Sequence, residues 1–384
     1  MVSDLCQKIM AGIYIHVPFC KKACHYCDFH FSTQQNYVAE MVQALQKEIS
    51  LQSGYLSEPL ETIYFGGGTP SLLSEKQLGK LLASVGDAFD TSGVNEITLE
   101  ANPDDINEDK LRQWHEIGIN RLSMGVQSFD DATLRMMNRV HGSAETYQCL
   151  QLITQSQINN VSVDLIYSVP NQSMAVWLES IKQLLAFRPQ HISAYSLTIE
   201  ERTVFGKWVS QHKLSPVDEG ESAAQFEALI DMLEQAGYEQ YEISNFSLPG
   251  FFSKHNTNYW RGVPYLGIGP SAHSFDGNSR QSNIRNNALY MKAIQAGSVP
   301  FEREALSREN KINEFIYTSL RTKWGCDLNE LQKRLQFDLL AAHRAYINDL
   351  VAKGFAQLDN QTLKLLRPGR LLADQIAMDL FLPA

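Results

Sequence analysis

The 384-residue chain is long enough for one large domain and a small one, and its apolar and charged fractions are ordinary for a globular protein. A formal net charge of -10 speaks against a broad nucleic-acid surface. No run approaches the ~20 apolar residues of a membrane helix, and residues 1–10, with Lys8 as their one base, lack the apolar core of a signal peptide. A cytoplasmic protein without a transmembrane segment is therefore expected. Peripheral membrane contact and a homodimer are both allowed. Thiols stay reduced in that compartment, so a group of cysteines reads as metal-binding or catalytic rather than as disulfides.

The first two-thirds alternates strand and helix. Strands are expected over residues 12–19, 62–65, 94–99, 121–126, 161–169 and 191–197. Helices are expected over 36–53, from Ser74 with Gln77 as a capping box, from Asn107 to a stop at Gly118, and over 130–138, 143–156 and 174–187. Six consecutive strand–helix units favour a parallel sheet. The strands look apolar without strict alternation, which suits a sheet covered on both faces. A doubly wound sheet or an incomplete barrel both fit. From Ser307 the pattern changes to three helices, a hairpin turning at Asp359 and Asn360, and a last helix, which resembles a winged-helix module. With no basic stripe, a packing role is favoured there over DNA binding. The expected division is 1–300 for the α/β domain and its extension, and 301–384 for the helical module.

Three of the six cysteines, Cys20, Cys24 and Cys27, sit on one loop with C-x3-C-x2-C spacing. Cys6, Cys149 and Cys326 stand alone and read as small buried hydrophobes. Three thiolates can each take one iron of a cubane cluster. With no fourth cysteine nearby, one iron stays open to a chelating ligand. The competing reading is a zinc site completed by His16, His25 or His30. A second motif, Gly66-Gly67-Gly68-Thr69-Pro70, follows the second strand, where glycine lets backbone approach a ligand closely. Glu100, Gln127 and Asp164 fall at or beyond later strand ends, and Arg139 follows shortly after the fourth. In a parallel barrel such ends converge on one mouth.

The cysteine spacing, with Tyr26 just before the third Cys, resembles the signature of radical S-adenosylmethionine (SAM) enzymes. That resemblance implies an incomplete (β/α)6 barrel, a [4Fe-4S] cluster on Cys20, Cys24 and Cys27, SAM on the open iron, and an electron donor for the cluster. The glycine run resembles the family's GGE-type motif, here in the GGGTP form of the coproporphyrinogen-oxidase-like branch. It implies SAM contacts from Gly67, Gly68 and Thr69, and from Tyr14, Glu100, Gln127, Arg139 and Asp164. Arg139 would pair with the methionyl carboxylate. For Asp164 the competing reading is a buried polar residue of the sheet.

Within that branch the sequence is similar to the HemW-type haem chaperones rather than to the oxygen-independent coproporphyrinogen III oxidases. Phe29 stands where the oxidases carry a further Cys, only nineteen residues precede Cys20, and His255-Asn256-Thr257-Asn258-Tyr259-Trp260 resembles the HNxxYW motif of the chaperones. The resemblance implies haem as ligand, His255 as its iron ligand, and haem-acceptor proteins as partners. One departure is Asn171-Gln172, where the branch more often shows Gly-Gln. The alternative is an enzyme that decarboxylates coproporphyrinogen III.

Overall fold

In the computed structural model, which describes residues 10–383, six strands lie side by side in sequence order, each parallel to the next. They are β1 (Ala11–Val17), β2 (Leu60–Gly67), β3 (Glu96–Ala101), β4 (Arg121–Gln127), β5 (Val161–Tyr167) and β6 (His191–Ser196). The readings of Cys6 and of the chain start lie outside the described residues. Helices α1 (Val38–Leu51), α2 (Glu75–Ala88), α3 (Glu108–Glu116), α4 (Asp131–Met136), α5 (Ser143–Thr154) and α6 (Met174–Phe187) fill the crossovers. Ser74 and Gln77 close the expected capping box on α2, and the Asn107 side chain accepts from the Lys110 N–H to start α3.

Sequence reading missed what the strands do with their two faces. Ile13, Ile15, Ile63, Phe65, Leu99, Leu122, Met124, Val163 and Leu165 point outward into one large core. The residues between them, among them Tyr14, Tyr64, Glu100, Ser123, Asp164 and Ser193, line a cavity of about 1030 Å3. The alternation is thus strict along much of the sheet, with a polar inner face, and this corrects the expectation of strands apolar on both sides. The six strands do not close on themselves. Edge strand β1 pairs with β9 (Tyr265–Ile268), and β6 pairs with β8 (Asn245–Ser247), which pairs in turn with β7 (Glu239–Glu242).

The segment after β6, for which the sequence suggested no elements, carries α7 (Val204–Ser210), α8 (Glu219–Gln235), α9 (Lys254–Trp260) and α10 (Asn287–Gln295). Beyond β9 the sheet continues through β10 (His273–Phe275), β11 (Ser279–Asn283) and β12 (Phe301–Ala305), making twelve strands. A division at 300/301 therefore cuts off the outermost strand of the sheet. The separate tail core begins at Ile312. It is built from α11 (Arg308–Leu320), α12 (Leu328–Leu335), α13 (Leu339–Ala352) and the hairpin β13 (Ala356–Asp359)–β14 (Thr362–Leu365), with φ positive at Asn360 and Gln361 in the turn. Cys149 and Cys326 are buried in the two cores.

The tail docks on the sheet through backbone hydrogen bonds, Ile243 N–H to the Arg321 carbonyl (3.1 Å) and Lys323 N–H to the Tyr241 carbonyl (2.9 Å). Arg261 lies over Trp324 at 4.6 Å and Arg321 over Trp260 at 5.5 Å. Among the described residues no helix is long and apolar enough to cross a membrane.

Candidate functional site

The loop from Pro18 to Ser32 leaves β1 at one end of the sheet and is held from several sides. Cys20 N–H donates to the Ser32 carbonyl (3.0 Å) and Ser32 N–H to the Pro18 carbonyl (2.9 Å), closing its base. Its far end is tied to the loop after α4, with His25 N–H on the Met137 carbonyl (3.0 Å) and the Asn138 amide on the Ala23 carbonyl (2.7 Å). Lys21 forms ion pairs with Asp104 and Asp105. All three cysteines line the cavity, and burial pushes the Cys20 and Cys27 thiols up to about 11. A bound cation must therefore displace their protons. Among the described residues no three His, Cys, Asp or Glu side chains form a single-ion site.

The glycine run packs under this loop. A Cβ on Gly68 would stand 2.5 Å from the Phe19 carbonyl oxygen, and Gly67 has φ +112 with no room beside His16. Thr69 donates toward Cys20 Sγ at 3.6 Å. Glu100 faces the run from β3, accepting from the Tyr64 hydroxyl (2.8 Å) and the Gly67 N–H (3.1 Å). Burial, helped by the nearby Asp164, holds its carboxyl up at about 7 against the pull of those two donors. Tyr14 stacks on Tyr64 at 5.9 Å.

Across the cavity, Arg139 reaches toward Cys24 Sγ and the Tyr26 hydroxyl (3.5 Å each), and donates to the Asn102 side chain (2.5 Å) and the Gly125 carbonyl (2.6 Å). Its Nε is buried without a partner among the described residues. Asn102 also donates to Thr69 (3.2 Å). It ties the two halves of the site together, and sequence reading passed over it. Gln127 lines the cavity from a bulge with φ +68. Asp164 sits among Ser123 and Ser162 at 3.4 Å, and burial raises its carboxyl to about 6. Arg121, Ser193 and Tyr195 complete this polar floor. They also went unnoticed, although their period-two spacing was the available signal. Asn171 has φ +64, a conformation glycine favours and asparagine tolerates.

His255 does not reach the cavity lining. Its Nδ1 is 2.8 Å from the Thr62 hydroxyl, its Nε2 is 2.8 Å from the Tyr259 hydroxyl, and its ring stacks on Tyr64 at 5.0 Å. Only 2% of the residue is exposed, and burial lowers its proton affinity to a pKa of about 3. Both ring nitrogens are engaged inside the protein in this structure. Phe29, by contrast, is 74% exposed at the cavity wall.

Residues 14–184 match the model of the radical SAM superfamily, and residues 306–372 match the HemN C-terminal domain. The heme chaperone HemW of Bacillus subtilis (strain 168) is 33% identical over 96% of this chain and 98% of its own length. The chain belongs to the HemW family of radical SAM proteins. A mitochondrial radical S-adenosyl methionine domain-containing protein 1 from Bos taurus is 31% identical over 96% of this chain and 87% of its own. Coproporphyrinogen III oxidase (HemN) from Escherichia coli, described as a radical SAM enzyme, superposes with a TM-score of 0.83 over 97% of this chain and 90% of its own, at 23% identity. That likeness establishes the fold, the incomplete (β/α)6 barrel with its C-terminal helical module. Membership in the superfamily implies a [4Fe-4S] cluster and SAM. Three thiols on one tied loop, a glycine run packed against that loop with Glu100 beside it, and an Arg139 Nε buried without a partner among the described residues suit those two groups.

Proposed function

We propose that this HemW-family protein is a haem chaperone, binding haem and handing it to acceptor proteins. The observation that carries the reading is the end-to-end similarity to a relative named for that role. Phe29, at the position of the oxidases' further Cys, supports it.

In this reading Cys20, Cys24 and Cys27 hold the cluster, and Tyr26 covers it. The cradle of Gly67, Gly68 and Thr69 takes SAM, with Glu100 facing its ammonium, Arg139 Nε its carboxylate, and Tyr14, Gln127 and Asp164 the remaining polar atoms. Bound, the cluster supplies a single electron and SAM a sulfonium that such an electron can cleave. The residues bind, orient and exclude water. Glu100, poised near neutrality, surrenders its proton when a cation enters.

The test is anaerobic. The protein is reconstituted with iron and sulfide, supplied with SAM and a reductant, and offered haem or coproporphyrinogen III. The reading expects stoichiometric haem binding, transfer to a haem-free acceptor, and no turnover of the porphyrinogen. Protoporphyrinogen formed over many turnovers would reject the carrier in favour of the oxidase.

A further inference from the structure

The deep end of the cavity holds a charge that the protein leaves unanswered. Arg121 begins β4 and Gln127 ends it. At about 3.3 Å per residue, Arg121 therefore lies roughly 20 Å along the strand from the mouth. Ser123 and Gly125 line the cavity between the two. Arg121 also lines it, yet only 2% of the residue is exposed. One guanidinium nitrogen donates to the Asn160 side chain. Among the described residues Arg121 joins no ion pair. A guanidinium carries five N–H donors and keeps its charge, and a buried one is almost always paired. Thr98, its register neighbour on β3, has a hydroxyl that is likewise buried without a partner among the described residues.

Hydroxyl side chains surround this end. Ser123 pairs in register with Ser162, and Ser162 with His191. Ser162 Oγ is 2.7 Å from His191 Nδ1 and 3.3 Å from Ser193 Oγ, and His191 Nε2 is 2.7 Å from the Tyr241 hydroxyl. Burial, with the Arg121 charge, drives the proton affinity of His191 well below its ordinary value, so this imidazole is neutral. Asp164 stands 3.4 Å from the Ser123 and Ser162 hydroxyls and feels the Arg121 charge without touching it. One guanidinium near one carboxyl suits a ligand with a single negative charge, because a dianion would be repelled by Asp164.

We infer that the floor of the barrel is a second binding site, in which the carboxylate of a small organic monoacid sits on the Arg121 guanidinium among the serine hydroxyls. Such a pair is a charge-assisted fork that replaces the water an isolated guanidinium would keep. The site goes beyond the carrier reading and does not depend on whether haem is carried. Nothing is transferred in the binding, so no co-reactant is required.

The experiment titrates propionate, with propionamide as the uncharged control, into the anaerobically reconstituted full chain and follows binding by saturation-transfer NMR. SAM is then added to saturation, so that Arg139 is occupied. The unmodified chain should bind propionate and ignore propionamide. Arg121→Met should weaken propionate about tenfold or more while leaving SAM affinity unchanged, which also shows that the fold is intact. Arg121→Lys keeps the charge without the fork and should weaken propionate by less. Where Arg121→Met does not fold, Arg121→Lys decides, and propionate affinity equal to that of the unmodified chain overturns the inference. No propionate binding in the unmodified chain overturns it, as does equal binding of propionamide. Arg121→Met that folds and binds propionate undiminished overturns it too. A folded variant that loses SAM along with propionate places Arg121 in the SAM site and overturns a separate one.

Discussion

Replacing His255 by alanine should cost stability before it costs anything else. The imidazole is buried, and its removal strands two hydroxyls, Thr62 Oγ1 and Tyr259 OH, each now 2.8 Å from a ring nitrogen. An unpaired buried polar group costs about 1–3 kcal/mol. The emptied space beside Tyr64 and Gly12 adds a cavity term to that. The Thr62 hydroxyl can turn to another acceptor, so the terms do not simply sum, and a loss of about 3–5 kcal/mol follows. Removing an exposed side chain, by comparison, costs within about 0.5 kcal/mol. Urea unfolding of the metal-free chain, followed by far-UV circular dichroism, separates the two cases by midpoint. The variant should also bind SAM more weakly, because the stacked Tyr64 ring sets the hydroxyl that fixes Glu100. An unchanged midpoint in His255→Ala refutes a packing role for this residue behind Tyr64, whatever happens to haem.

Two further predictions concern the cradle. Glu100, held at about 7, is charged above that pH and neutral below it. If it faces the SAM ammonium, affinity should fall as pH drops from 8 to 6, approaching roughly tenfold per unit at the acid end, and Glu100→Gln should flatten the profile. Equilibrium dialysis at fixed salt reads this, and a flat profile in the unmodified protein removes Glu100 from the ammonium. Gly68→Ala places a methyl 2.5 Å from the Phe19 carbonyl oxygen, an atom that cannot swing aside. Iron retained after reconstitution should fall well below the four of a cubane with secondary structure intact, and full retention contradicts the packing of the glycine run under the cysteine loop.

Much of the site was legible because it is written in local patterns. The cysteine loop and the glycine run each occupy one strand-to-helix connection, so spacing alone exposes them. Glu100 and Asp164 could be singled out because they fall at or beyond strand ends, which converge on one mouth in a parallel barrel. Ser123, Ser162 and Ser193 were not, since small hydroxyl residues pass within a strand as neutral. Reading the strands as apolar on both faces concealed the alternation that places these serines side by side on the polar floor. Asn102 escaped for another reason. Its two partners, Thr69 and Arg139, lie 33 and 37 residues away, and nothing local marks such a bridge. The segment after β6 was illegible because its strands run only three to five residues and gain their place by joining an existing edge.

The HNxxYW segment shows how packing alone can account for a distinctive run of residues. α9 is anchored at its start by Glu96, whose carboxylate accepts the backbone N–H groups of Lys254 (3.0 Å) and His255 (2.9 Å). One turn of the helix sets His255 against Thr62 and Tyr64 of β2, and Tyr259 against His255 and Tyr265 of β9. Asn258 donates to Glu61 at 2.9 Å on the same strand. Trp260, at the end, lies under Arg321 of the C-terminal module. A seven-residue helix thereby touches β2, β3, β9 and the tail. The motif works as a joint between the floor beneath Glu100 and the module docked behind it. Loosening it at Trp260 should reach the module first, and loosening it at His255 should reach Glu100. Neither route requires the histidine to leave the interior.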